Sequence, residues 1–187
     1  MKKLTPDQWM GVILALMAVG ILALSVLDMR GGSAAGLRVA EGEPMLALEG
    51  PDLEGETLRF AAGDSGGKVL LIDFWATWCP PCVAEMPILA SIHRELQAEG
   101  VEVIAVNADT AGGREGQARL VRGFLKQQQI DLPVLLDDGR NQAVYGIRSF
   151  PTLIVVGVDG KVSKIFGGLT SRDHLLKAIE RAKMPAS

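Results

Sequence analysis

The run Lys68–Trp75 (KVLLIDFW) constrains the fold of this chain more than any other segment. It has the length of a strand, and its near-continuous apolar character requires cover on both faces, as in a parallel sheet wrapped by helices. The chain that follows supplies such covers. Pro80–Glu99 reads as a helix, Val101–Val106 as a strand, Glu115–Gln129 as a helix with Leu120, Val121, Phe124 and Leu125 on one stripe, and Pro133–Leu136 as a strand. Asn141–Tyr145 reads as a short helix, Thr152–Val156 and Lys161–Phe166 as a hairpin around Asp159-Gly160, and Ser171–Lys183 as a closing amphipathic helix. Alternating strands and helices imply a parallel inner sheet, and the late hairpin adds antiparallel strands at one side. The expected class is a mixed α/β sandwich. Ahead of it, Met45–Leu48 and Thr57–Phe60 flank the turn-rich Gly50–Glu56 and predict a small leading β-hairpin.

The N-terminus has a different character. Trp9–Leu27 (WMGVILALMAVGILALSVL) is 19 residues without a charge and with Ser25 as its polar side chain. A helix of that length rises roughly 28 Å, close to the ~30 Å hydrocarbon core of a bilayer. Residues 1–30 are therefore expected to form a single-pass anchor in the inner (cytoplasmic) membrane. Lys2 and Lys3 would stay cytoplasmic and the rest would be exported to the periplasmic side, a bias that Arg30 and Arg38 weaken. The alternative is a signal peptide cleaved near Ala35, after Ser33-Ala34-Ala35; the apolar run is long for that, and Asp28-Met29-Arg30 intervenes. Residues 31–43 (GGSAAGLRVAEGE) have the composition of a flexible linker, and 44–187 remain as a domain of ordinary size.

Nineteen basic against 22 acidic residues give a net charge of −3 and no broad cationic footprint, so nucleic acid is set aside as a partner. The two cysteines, Cys79 and Cys82, close too small a loop to staple the fold. They also lack the histidine partners of a zinc site, since His93 and His174 are poorly spaced for one. A reactive dithiol remains. Cys79 sits at the predicted helix N-terminus, where unpaired N–H groups and the dipole favour a thiolate, which makes it the candidate nucleophile. Cys82, one turn further in, is the candidate resolving thiol, and Pro80 and Pro81 stiffen the turn between them. Trp75 is expected in the core, and Trp78 at the rim as an apolar contact for a polypeptide substrate. Asp73 is a carboxylate inside an apolar strand, a costly placement unless it is paired or protonated; desolvation would raise its pKa, and it reads either as a proton relay for Cys82 or as a strand-end acid bonded to backbone. Glu85, three residues after Cys82, is open to two readings, an active-site acid or a favourable dipole partner. Gly66-Gly67-Lys68 does not satisfy the phosphate-loop pattern.

Asp73-Phe74-Trp75-Ala76-Thr77-Trp78-Cys79-Pro80-Pro81-Cys82, with Phe150-Pro151-Thr152 about 70 residues later, resembles the active site of thioredoxins, and more closely the membrane-anchored TlpA, ResA and CcmG type. The resemblance runs from Pro44 to about Arg181. It implies a thioredoxin-like three-layer sandwich with an N-terminal hairpin and a helix-containing insertion over Ala108–Ile130. It also implies a protein thiol-disulfide oxidoreductase that reduces selected partners in cytochrome c maturation, fed by an upstream membrane electron donor. No cofactor is implied beyond a Cys79–Cys82 disulfide, and no metal. Asp73 matches the buried acid of thioredoxins, where the TlpA type often has a neutral residue, and Glu85 matches the active-site glutamate of the ResA type. Pro151 would follow a cis bond and present the backbone of Phe150 to an extended substrate. Two other readings use the same thiols. A thiol peroxidase shares the fold, although a Thr-x-x-Cys motif is missing here; a Cu(I) carrier would suit soft sulfur ligands, with Met86 nearby.

Overall fold

The computed structural model describes residues 36–63 and 66–185, which belong to one unit, Gly36–Ser187. The expected membrane segment Trp9–Leu27 and the cleavage position near Ala35 lie outside the described residues; among those, no helix is long and apolar enough to cross a membrane. Strands β1 (Leu48–Pro51) and β2 (Thr57–Phe60) pair as an antiparallel hairpin. Then come β3 (Val69–Trp75), α1 (Pro80–Leu96) with a 3-10 turn at Gln97–Glu99, β4 (Val101–Asn107), α2 (Gly113–Gln128) and β5 (Val134–Leu136). The chain closes with α3 (Arg140–Tyr145), β6 (Thr152–Val156), β7 (Val162–Gly167) and α4 (Arg172–Ala182). The main sheet has the order β5-β4-β3-β6-β7, parallel across β5, β4 and β3 and antiparallel from β3 through β6 to β7. This is the expected thioredoxin-like mixed sheet.

All seven residues of β3 are buried, as its apolar run requires, and their alternation divides the core. Val69, Leu71 and Trp75 face α1, α2 and α4 through Leu89, Val121 and Leu175. Leu70, Ile72 and Phe74 face the hairpin and α3 through Met45, Leu48 and Tyr145. Each such aliphatic side chain contributes roughly 1.5–3 kcal/mol on burial. The sheet is thus held from both sides, and the C-terminal ends of β3 and β4 reach one edge together, where Trp75 pairs with Asn107.

Three sequence expectations are corrected. The first hairpin strand is Leu48–Pro51, not Met45–Leu48, because the Asp52 carboxylate accepts from the N–H of Glu54 and Glu56 and so confines the turn to the residues after Pro51. Gly50 is needed inside that strand, since a Cβ there would lie 2.7 Å from Leu135 Cδ2. Residues 36–43, expected in a flexible linker, lie against the domain: Val39 is buried, Arg38 N–H donates to Tyr145 C=O at 2.9 Å, and Gly42 N–H donates to Val162 C=O at 2.7 Å. Small residues masked the alternating Leu37 and Val39, whose burial draws this segment onto the sheet. On α2 the buried residues are Gln117, Ala118, Val121 and Leu125, so Leu120 falls off the apolar stripe and is exposed.

Candidate active site

β3 delivers its chain into a short turn, in which Cys79 N–H donates to Ala76 C=O at 3.2 Å, and α1 starts at once. Cys79 caps that helix: its backbone is extended (φ −96°, ψ 103°) and its Sγ accepts from Cys82 N–H at 3.3 Å. Pro80 and Pro81 fill the first helical positions, where a missing N–H costs little, and both are exposed. Cys79 and Cys82 are joined by a disulfide with Cα atoms 5.3 Å apart. Cys79 keeps 4% of its surface exposed and Cys82 none. Both sulfurs are thus buried in this oxidised state, and the small remaining opening lies over Cys79.

Asp73 falls on the α1 side of β3 by alternation with Leu71 and Trp75. It is fully buried and neither carboxylate oxygen has a hydrogen-bond partner, which removes the reading of a strand-end acid bonded to backbone. Burial pushes its pKa well above the ordinary carboxylate value, and the Glu85 charge adds to the shift. Glu85 lies beyond the first turn of α1 and is buried as well, so the dipole does not account for its position. Its Oε1 accepts from Thr170 N–H at 2.7 Å while Oε2 has no partner. Burial raises the Glu85 pKa and the Thr170 bond opposes the shift. Trp75 is in the core as expected, its ring tilted against that of Phe124 with centroids 5.2 Å apart, but its indole N–H finds no acceptor.

Around the dithiol lies an apolar rim. Trp78 is 66% exposed and meets Phe150 edge-on, with ring centroids 5.8 Å apart. The Phe150–Pro151 bond is cis. Pro151 C=O accepts from Gly168 N–H at 2.9 Å, Gly168 C=O accepts from the Thr170 hydroxyl at 3.2 Å, and Thr170 returns to Glu85. The loop after β7 is therefore tied both to the cis-proline segment and to α1, and it leaves Leu169 56% exposed. Sequence reasoning missed Leu169 and Thr170; the partner of Thr170, Glu85, lies 85 positions away in the chain. His93 is a structural residue: its Nδ1 accepts from Val103 N–H at 3.4 Å. His174 is exposed on α4. Among the described residues, no group of three or more His, Cys, Asp or Glu side chains is placed to hold a metal ion.

A mixed sheet that hands its central strand to a helix capped by the outer cysteine of a Cys-x-x-Cys pair, beside a cis-proline, defines a thioredoxin-like thiol-disulfide oxidoreductase. The chain belongs to the AhpC/TSA family, whose model matches residues 42–165. It is similar to the thiol-disulfide oxidoreductase ResA of Halalkalibacterium halodurans, 36% identical over 123 residues that cover 65% of this chain and 65% of that one. ResA of Bacillus subtilis is 33% identical over 134 residues, covering 70% of this chain and 69% of its own length. Among solved structures, a Chlorobium tepidum protein described as a DsbE thiol:disulfide interchange protein superposes with a TM-score of 0.68 at 26% identity, over 78% of this chain and 99% of that one.

Proposed function

We infer that this protein reduces disulfides in selected partner proteins outside the cytoplasm, in the manner of cytochrome c maturation. The observation that carries this reading is the asymmetry of the dithiol: Cys79 caps α1 and keeps a surface opening beside exposed Trp78, while Cys82 is sealed behind it. In the reduced protein the Cys79 thiolate attacks one sulfur of the substrate disulfide, forming a mixed disulfide and releasing the other sulfur as a thiolate that takes a proton from water. Cys82 then passes its proton to Asp73 and attacks Cys79 Sγ, which expels the second substrate sulfur as a thiolate that takes a proton from water or from Asp73 and leaves the Cys79–Cys82 disulfide. Two electrons have moved to the substrate. Asp73 suits this step because a desolvated carboxylate is a stronger base than an exposed one, and Glu85 sets its electrostatic surroundings. Trp78, Pro80, Pro81, Phe150 and Pro151 form the surface that receives an extended substrate segment. An upstream membrane dithiol would return the two electrons, and Trp9–Leu27 would tether the domain near that donor.

The direction of transfer follows from what surrounds the thiolate. Pro80 and Pro81 offer it no side-chain donor and no N–H, and the two buried acids, when ionised, disfavour added negative charge. Weak thiolate stabilisation makes a reducing couple. Equilibration with glutathione buffers is expected to give a potential nearer the ~−270 mV of thioredoxin than the ~−120 mV of DsbA, and the latter value would sink the reductant reading. Trapping mixed disulfides with Cys82→Ser in cells would identify the partners. If the trap captured cytoplasmic proteins alone, the extracytoplasmic assignment would fail.

A further inference from the structure

At the end of β4 lies a buried polar cluster that the proton and thiol chemistry leaves unused. Asp109 is almost fully enclosed, and its carboxylate is bonded on both oxygens. Oδ2 accepts from the backbone N–H of Thr77 at 2.9 Å and from Asn107 Nδ2 at 2.7 Å; Oδ1 accepts from the Thr77 hydroxyl at 3.0 Å. Behind it, Asn107 Oδ1 accepts from Asp109 N–H at 3.1 Å. Gln117 Nε2, on α2, donates to Asn107 Oδ1 at 3.1 Å, to Asn107 C=O at 3.0 Å and to Asp137 C=O at 3.2 Å. The strand ends need none of these side chains to close. Ala108 N–H already donates to Trp75 C=O at 2.8 Å, and Asp137 N–H to Asn107 C=O at 2.9 Å.

An enclosed carboxylate is not the cheapest way to fill such a space, since a well-packed apolar group is often as stable. What this one adds is a grip on Thr77, two residues before Cys79. The geometry points to Asp109 as a positioning residue for the dithiol: braced by Asn107 and by Gln117 of the inserted helix, it holds Thr77 so that Cys79 keeps its capping conformation. The inference rests on the dithiol reading above. It gives the insertion between β4 and β5 a task, because α2 supplies the donor that fixes Asn107, and Asn107 fixes Asp109. With Thr77 released, the turn that sets Cys79 at the head of α1 loosens. Its Sγ then spends less time against the Cys82 N–H, and less of it is thiolate at neutral pH.

The test is the pH profile of Cys79 alkylation by iodoacetamide in the reduced full-length protein. Asp109→Ala should slow labelling at pH 7 by about twofold to tenfold, the factor that one net hydrogen bond of ~0.5–1.5 kcal/mol represents, and should move the profile to higher pH. Thr77→Val should move it the same way by less, and Thr77→Ser, which restores the hydroxyl, should return it to that of the parent. Should Asp109→Ala fail to fold, the contrast between Val and Ser at position 77 decides alone. Profiles that superimpose on the parent in Asp109→Ala and Thr77→Val, whatever their melting temperatures, would overturn the inference and leave Asp109 a structural residue. Alkylation needs no protein substrate. A parent protein that reduced no disulfide would therefore sink the functional reading without deciding this one.

Discussion

On one face of β3, Leu70, Ile72 and Phe74 meet the hairpin and Tyr145 through apolar contact; on the other, Asp73 and Trp75 interrupt the apolar series beneath a helix that carries Glu85. Both faces are equally dry. Yet among the described residues, every buried side-chain nitrogen or oxygen left without a hydrogen bond belongs to Asp73, Trp75 or Glu85, on the dithiol side of the sheet. Stability alone would not retain such atoms, because each forfeits its hydration without a replacement bond. Both faces hold the sheet, but the helix face alone carries buried acids without a full set of partners, at some cost in stability. On the proposed mechanism, this local rule is broken where the proton chemistry needs it broken.

The largest effect that would test this division is on the hairpin face. Ile72→Ala should lower unfolding stability by about 2–5 kcal/mol through lost burial and a residual cavity. Turnover per folded molecule should stay at the parent level, measured as disulfide reduction normalised to the folded fraction in urea. A loss of turnover in the folded fraction would break the comparison, since it would place catalytic work on both faces.

Asp73→Asn should give the opposite pattern: turnover slower by about 10²-fold, the low end of what a proton-transfer group contributes, with stability unchanged or raised at neutral pH. The sign follows from linkage. Because the folded pKa of Asp73 is raised, the native protein keeps a proton that the unfolded chain releases above about pH 3.9. Native stability is therefore highest below that value and falls as pH rises towards the folded pKa, by at most ~1.4 kcal/mol per unit for one group. Asparagine cannot ionise, so the variant's advantage should open above about pH 4 and widen with pH, as read by urea midpoints between pH 4 and 8. A constant gap would mean that the folded pKa of Asp73 is not raised above that of the unfolded chain.

The same contrast explains how much could be read beforehand. The apolar period of β3, the helix start at Pro80 and the Asp159-Gly160 turn are local signals, and the strand, α1 and the β6–β7 hairpin form where those signals put them. Asp73 was visible as an acid out of place for the same reason. Thr170 and Asp109 were not visible: Thr170 meets a glutamate 85 positions away and Asp109 a threonine 32 positions away, and no periodicity encodes either encounter. Composition misled at residues 36–43, where glycine and alanine suggested a linker and two alternating aliphatic side chains decided the outcome.

Glu85→Gln sharpens the comparison within the helix face and should have a smaller effect than Asp73→Asn. The glutamine carbonyl can still accept from Thr170 N–H, so the loop after β7 stays anchored, while the charge that helps raise the Asp73 pKa is gone. The Asp73 titration should move to lower pH, seen as a downward shift of the pH–turnover midpoint, with maximal turnover reduced within about fivefold, near 1 kcal/mol. An upward shift would show that Glu85 is neutral in the working enzyme and that its hydrogen bonding, not its charge, reaches Asp73.

The smallest effect on the fold belongs to a residue outside both faces. Trp78 is two-thirds exposed, and its ring meets Phe150 edge-on, with centroids 5.8 Å apart. Removing an exposed side chain that fills no part of either core should change stability by no more than about 0.5 kcal/mol. A large exposed indole beside a nucleophile is nevertheless well placed to shield apolar substrate surface, and aromatic contacts contribute ~0.5–1.5 kcal/mol beyond area alone. Trp78→Ala should therefore raise KM for a protein disulfide by about twofold to tenfold, the factor those energies represent, with kcat and the alkylation rate of Cys79 unchanged. Trp78→Phe should recover part of the loss. The split between KM and kcat decides the case: a fall in kcat with KM unchanged would mean that Trp78 holds the Cys79 turn in place, and the rim would then be part of the machinery that Asp109 braces from behind.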